Sequence, residues 1–452
     1  MNISFENPDK INGVLTITVE ETDYKESVEK TLKDVRKKAN YPGFRPGMVP
    51  MGLIKKQYGA SAKMDAINKL VGENIYKYMQ ENKIQMLGEP LPSEKQEAQD
   101  LEKPAPYTFT FDIAVAPEFK AELTGRDKID YYTIKADDKL IDDQVQMYAS
   151  QAGEFVKAEV FSGNDTITGD LRELDENGNT KEGGIVTEGG MVMPAYIKVE
   201  DQKKLFDGAK PGDIITFNPK KAYPDSDAEV AALLKVDKEK VKDLTADFSY
   251  QITEIRHFQP AEVNQALFDR VFGEGTVKDE KAFREKIAES IAPQLQQNSD
   301  YKFLLDVRAH MEKKVGKLEF PEALLKRVML QNNQDKGADY VEKNFEGSIK
   351  ELAWHLMKEQ LVAANNIKVE EDDLKAVAKE AIRAQFAQYG MSNVPDDVLE
   401  NYAAEQMKKR ENVDNFVDRA VDVKLTEALK NVVKLNQKEV TLEEFNKLMQ
   451  QK

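Results

Sequence analysis

The spacing of apolar residues changes character near Gln259, and that change constrains the fold more than any other feature of the chain. Before it, stretches of period two alternate with stretches of helical spacing. After it, apolar residues recur almost only at i, i+3 and i+4, through runs at 279–314, 321–335, 338–364, 371–389, 396–434 and 441–450. A sheet-bearing front followed by an all-helical back points to more than one domain. The expectation is therefore a multidomain α+β chain, in keeping with 452 residues against about 150 for a typical domain.

The front begins with Leu15, Ile17 and Val19 alternating with threonines, a half-buried strand. A helix follows, capped by Thr22 or Asp23, with Tyr24, Val28, Leu32 and Val35 on one face and Lys33, Arg36 and Lys37 on the other. YPGFRPGMVP, residues 41–50, carries too many prolines and glycines for regular structure and reads as an exposed loop. A second helix is expected over about 61–79, then a strand in which Tyr107, Phe109, Phe111, Ile113 and Val115 alternate. Residues 134–150 read as helix. From 151 to 256 short strands with Gly, Asn and Asp turns predict a β-rich insert, with one helical stretch, SDAEVAALLKVDKEKVKDL. Its glycine pairs, in GGIVTEGG, read as turns because no Lys or helix start follows them. The expected division is 1–116, a linker at 117–150 grouped with the C-terminal helices, 151–256 and 257–452.

Composition narrows the chemistry. The chain has no Cys, and His257, His310 and His355 are scattered, so neither a metal site nor a cysteine nucleophile is expected. There is no GxxxxGK[ST], GxGxxG or GxSxG, hence no nucleotide, no cofactor and no assignable catalytic residue. No apolar run is long enough to span a membrane, and the first residues do not resemble a signal peptide, so a cytoplasmic protein is expected. Charged residues make up 32% of the chain, which favours much surface per core, as in long helices. The net charge of −16 is uneven: residues 25–83 hold thirteen Lys or Arg and only six acids. A basic module on an acidic body can dock one end on a polyanion and hold the rest away.

GFRPGMVP, with Ile54 and QYG at Gln57–Gly59, closely resembles the ribosome-docking signature of the trigger factor family. ALFDRVFGEGTVKDEKAFREKI (266–287) and KLEFPEALLKRVM (317–329) resemble stretches of that family's C-terminal part, so the likeness runs the length of the chain. It implies an N-terminal α+β ribosome-binding domain, an FKBP-like β-rich insert and an elongated α-helical C-terminal domain. The partners it implies are the ribosome, through a tunnel-exit protein and rRNA, and nascent or unfolded polypeptides.

The ribosome-binding residues it implies are Gly43, Phe44, Arg45, Pro46, Gly47 and Pro50. Glycines free the backbone, prolines stiffen it, Phe44 offers apolar surface and Arg45 a planar cation. Pro46 stands where the family often has Lys, and Met48 adds no cation. In the insert the family's Pro-Gly-aromatic element is missing, Met193, Pro194, Ala195 and Tyr196 being its nearest counterpart. Tyr196, Phe206, Phe217, Tyr223, Phe248 and Tyr250 are candidates to line a prolyl isomerase pocket, although aromatics on alternating strands are more often ordinary core. The fold is therefore carried over and the activity is not. Met311, Met329, Met357, Met391 and Met407 are spaced through the helices, as adaptable client contacts or as core. The leading reading is an ATP-independent chaperone. The alternatives are an active peptidyl-prolyl isomerase and an acidic scaffold whose basic tip seeks another RNA-rich partner.

Overall fold

The computed structural model describes every residue except Pro46, Gly390, Ser392, Asn393, Gln451 and Lys452. It forms two compact units, Met1–Tyr131 with Asp300–Lys438, and Tyr132–Ser299 with Glu439–Lys452.

The chain begins with β1 (Asn2–Glu6) and β2 (Asn12–Val19), followed by helices α1 (Glu21–Lys38) and α2 (Met51–Glu81), then β3 (Leu91–Pro92) and β4 (Tyr107–Ala114). The antiparallel sheet has the order β1-β2-β4-β3, with Leu15 opposite Phe111 and Ile17 opposite Phe109. The alternation in β2 sends Leu15, Ile17 and Val19 inward onto Ile67, Val71 and Ile75 of α2. The cap of α1 is Glu20 rather than Thr22 or Asp23. Glu20 and Asp23 form a reciprocal capping box, in which Asp23 is the third helical residue. Helix α2 starts ten residues earlier than its spacing predicts. Gly52 and Gly59 lie within it, tolerated because Ile54 and Ala62 bury against Leu32 of α1.

Next come β5 (Lys128–Ile134) and α3 (Asp138–Gln151), then the insert: β6 (Glu154–Lys157), β7 (Thr166–Glu173), β8 (Val186–Val192), α4 (Glu200–Lys203), β9 (Ile214–Phe217), α5 (Pro219–Ala222), α6 (Asp227–Leu234) and β10 (Phe248–Gln259). Strand β10 is central, pairing with β6, β7 and β9, and β8 flanks β7. The expected single helix after Ser226 is broken. Lys235 takes left-handed angles (φ 51°) and ends α6, and only a 3-10 turn, Lys238–Val241, follows. Of the glycine pairs, Gly183 does sit in a turn, at φ 71°. Gly189 and Gly190 instead lie inside β8, where a Cβ on Gly190 would come within 2.3 Å of Leu171.

The remainder is α7 (Gln265–Phe272), α8 (Glu280–Val315), α9 (Glu322–Asn332), α10 (Gly337–Ala364), α11 (Glu371–Gln388), α12 (Asp396–Gln406), α13 (Arg410–Val432), β11 (Lys434–Val440) and α14 (Leu442–Gln450). The run expected as one helix over 396–434 is two, because Lys409 is extended and Asn412 Nδ2 bonds Gln406 Oε1 at 2.7 Å. It ends in a strand that carries no apolar alternation. Within the first unit β11 is held by Lys434 N to Asp127 O at 2.9 Å and by Asn436 Nδ2 to Asp130 Oδ1 at 2.6 Å. The cores of that unit join distant chain segments. Ala121, Leu123, Ile129 and Tyr131 pack with Phe303, Val307, Trp354, Leu361, Leu425 and Leu429. Leu87, Leu91 and Ala114 pack with Phe320, Leu324, Val328 and Phe345. In the second unit the insert keeps its own core, while α3 packs on Leu267, Phe268, Phe283 and Ile287.

Candidate functional site

The α1–α2 connection is rigid at its root and open at its tip. Helix α1 ends where Ala39 turns extended, its N–H still bonded to Val35 O at 2.7 Å. Two reverse turns follow, Phe44 N to Tyr41 O at 3.0 Å and Met48 N to Arg45 O at 2.9 Å. They need positive φ at Gly43 (88°) and Gly47 (80°), where any other residue would be strained. Val49 is fully buried against Leu32, Ile54 and Ala62, and its carbonyl accepts from Arg36 Nε at 2.8 Å. Arg36, expected on the solvent face of α1, is thus a strut of the loop. Pro50 caps α2, its carbonyl accepting from Leu53 N and Ile54 N at 3.0 and 3.3 Å.

On this frame Phe44 is 38% exposed, its ring meeting Tyr41 edge-on at 6.4 Å rather than entering the core of the module. Met48 is 68% exposed, and Arg45 is exposed. Pro46 lies outside the described residues. The cations divide in two. Lys25, Lys37, Lys69 and Lys77 pair with Glu21, Asp34, Glu73 and Glu81. Lys63 is taken up internally, bonding Leu101 O and Tyr107 Oη at 2.5 Å each. Among the described residues, no ion pair is formed by Lys30, Lys33, Arg36, Lys38, Arg45, Lys55, Lys56 or Lys83. Five of these eight, Arg36, Lys38, Arg45, Lys55 and Lys56, lie between the last turn of α1 and the second turn of α2. The unneutralised charge therefore gathers around the loop.

The insert's aromatic candidates meet, but in its core. Phe206, Phe217, Phe248 and Tyr250 are no more than 1% exposed. Three of them interlock edge-to-face, Phe206 with Phe217 at 5.4 Å, Phe217 with Tyr250 at 5.8 Å and Phe206 with Tyr250 at 6.2 Å. The Tyr250 hydroxyl lies 2.8 Å from both Ile167 O and Gly190 O, and burial drives its pKa upward. Tyr223 is buried too, its pKa pushed up to about 12 by burial and then by Glu229. Tyr196 stands apart, 69% exposed on the 3-10 turn Pro194–Tyr196.

In the helical part Met311 and Met357 are core, packed in the cluster that holds Trp354. Met329 is half-buried, Met391 is 47% exposed, and Met407 lines a cleft of about 720 Å³ between α11 and α12. Ala376, Ala403 and Ala404 also line that cleft, along with Glu371, Lys375, Lys379 and Glu400. Tyr389 and Tyr402 are more than half exposed on the same helix pair, and Phe386 meets Tyr402 edge-on at 5.3 Å. Apolar surface with a charged border on two adjacent helices suits partners of varied sequence.

Three family models match in order along the chain. They are bacterial trigger factor protein over residues 1–148, the trigger factor FKBP-like domain over 155–260 and the trigger factor C-terminal domain over 299–449. The chain belongs to the trigger factor family. The trigger factor of Delftia acidovorans is 26% identical, over 98% of this chain and 99% of the relative. That of Pelagibacter ubique is 21% identical, over 100% of this chain and 90% of the relative. A solved trigger factor structure aligns over 95% of this chain and 100% of its own, at 13% identity and a TM-score of 0.47. As a trigger factor with an FKBP-like domain, the chain is a chaperone by family. Among the described residues, no helix is long and apolar enough to cross a membrane.

Proposed function

We propose that this trigger factor is an ATP-independent, cytoplasmic chaperone that docks on the ribosome beside the tunnel exit and shields emerging chains. The observation that carries the reading is the loop between α1 and α2. It is fixed from behind by Val49 and Arg36, presents Phe44 and Arg45 outward, and is surrounded by unneutralised lysines on a chain of net charge −16. A loop already held in shape loses little entropy on docking. Gly43, Gly47 and Pro50 set its course, and Phe44 and Arg45 make the contacts, to a tunnel-exit protein and adjoining rRNA. Nascent chains are then held on the exposed apolar surface of α11 and α12. The division into 1–116, 117–150, 151–256 and 257–452 assigns docking to the first part and holding to the last.

Co-sedimentation with ribosomes tests the docking. Phe44→Ala with Arg45→Ala should weaken it by at least about 2 kcal/mol, the scale of interface anchors, and wild-type binding should fall as salt rises. Sedimentation at undiminished strength would reject the reading.

Peptidyl-prolyl isomerisation is the second reading, supported by the FKBP-like match over 155–260. It needs a pocket that desolvates the X-Pro bond, and Phe206, Phe217, Phe248 and Tyr250 are closed into core. We therefore assign these four side chains to the core of the insert rather than to catalysis. Clear acceleration of a proline-limited refolding reaction by residues 151–256 would reverse that assignment.

A further inference from the structure

Met48 occupies a place that nothing above explains. It is 68% exposed, whereas its neighbour Val49 is wholly buried. Its position is not loose, because Met48 N is bonded to Arg45 O, Val49 O is held by Arg36 and Pro50 caps α2. The same pair of turns that displays Phe44 thus displays a second large apolar side chain four residues on. In a chain that is 32% charged, a large apolar side chain displayed on the same loop as Phe44 enlarges the loop's exposed apolar surface, and burying that surface is favourable.

Resting on the docking reading above, we propose that Met48 is a second apolar anchor of the loop. It buries beside Phe44 in an apolar depression on a protein surface, with carboxylates at the rim facing Arg45, Lys55 and Lys56. The partner at this point is protein rather than RNA, because folded RNA presents mainly phosphates and ribose hydroxyls. Against those a thioether gains almost nothing, whereas an apolar depression accommodates its flexible chain. The open cations agree with a carboxylate rim: an apolar centre bordered by charge is the usual anatomy of a protein–protein contact. Docking at Met48 therefore adds affinity without adding salt dependence.

The test is the ribosome affinity of the full chain, measured between 50 and 200 mM salt. Met48→Leu keeps the apolar contact and should bind within about twofold of wild type. Met48→Gln has similar length but is polar, and should bind about tenfold more weakly, the scale of one buried apolar side chain, with the salt slope unchanged. Met48→Lys should also weaken binding. The inference is overturned if Met48→Gln binds as wild type while the Phe44 and Arg45 double substitution does not; docking then stands without Met48. It is equally overturned if Met48→Lys strengthens binding and steepens the salt slope by about one, since a phosphate then faces position 48. If the double substitution has no effect either, the docking reading itself fails. A urea transition followed by circular dichroism checks that each variant is folded.

Discussion

At the scale of single residues, the loop that we propose docks is governed by a buried side chain. Val49 sits with Leu32, Ile54 and Ala62, so Val49→Ala should cost about 2 kcal/mol in the thermal or urea stability of the N-terminal module. Ribosome binding should fall with it, although position 49 is buried. Asp127 shows the same economy in electrostatics. Burial pushes its pKa up, but Lys314 Nζ at 2.8 and 2.9 Å, His310 Nε2 at 3.0 Å and Thr124 N at 2.8 Å outweigh that and hold the carboxyl well below the usual range. A carboxyl depressed in the folded state contributes stability that is fully present above its unfolded pKa of about 4. That contribution disappears as pH falls through the folded value. Urea midpoints should therefore decline below about pH 4, and Asp127→Asn should lower the neutral-pH midpoint while flattening the acid limb.

Elements reveal which signals the sequence carried. Period two in β2 and β4 and helical spacing in α1, α8 and α10 were readable because one face of each is buried, and burial writes itself into the pattern. The loop was readable as a loop from its prolines and glycines. Other features left no such trace. The gap between α12 and α13 contains neither Gly nor Pro, being made by Lys409 and the Asn412 side chain. Strand β11 is polar apart from Leu435 and Val440, held by backbone pairing and by Asp130. Helix α2 runs through Gly52 and Gly59, because packing on α1 overrides their weak propensity. A side chain at either glycine would meet open space, and neither takes positive φ. Gly59→Ala should therefore raise stability by about 0.5–1 kcal/mol in chemical denaturation. Gly43→Ala, by contrast, should cost about 1–2 kcal/mol for its φ of 88°. Among the candidate residues, Phe44 and Arg45 are exposed on the loop, and Phe206, Phe217 and Tyr250 face one another in the core of the insert while Tyr196 stays outside it. Alternation marks an aromatic as inward-facing but cannot distinguish a wall of a pocket from a filled interior.

At the scale of the whole molecule, segments remote in sequence share interiors within the first unit. The clusters around Leu15 and Val49 draw only on residues before 116, so that module should fold when made alone. A fragment ending at 116 should give a cooperative urea transition, weaker than in the full chain because Leu87, Leu91 and Ala114 lose Phe320, Leu324 and Val328. The interior of Leu123, Ile129 and Tyr131 has no such independence, since Leu425, Leu429 and Val433 complete it. During its own synthesis the chain exposes the first set long before the second has been polymerised. A protein that we propose shelters unfinished chains must itself travel most of its birth with that interior open, and it closes only when the last helices have cleared the tunnel.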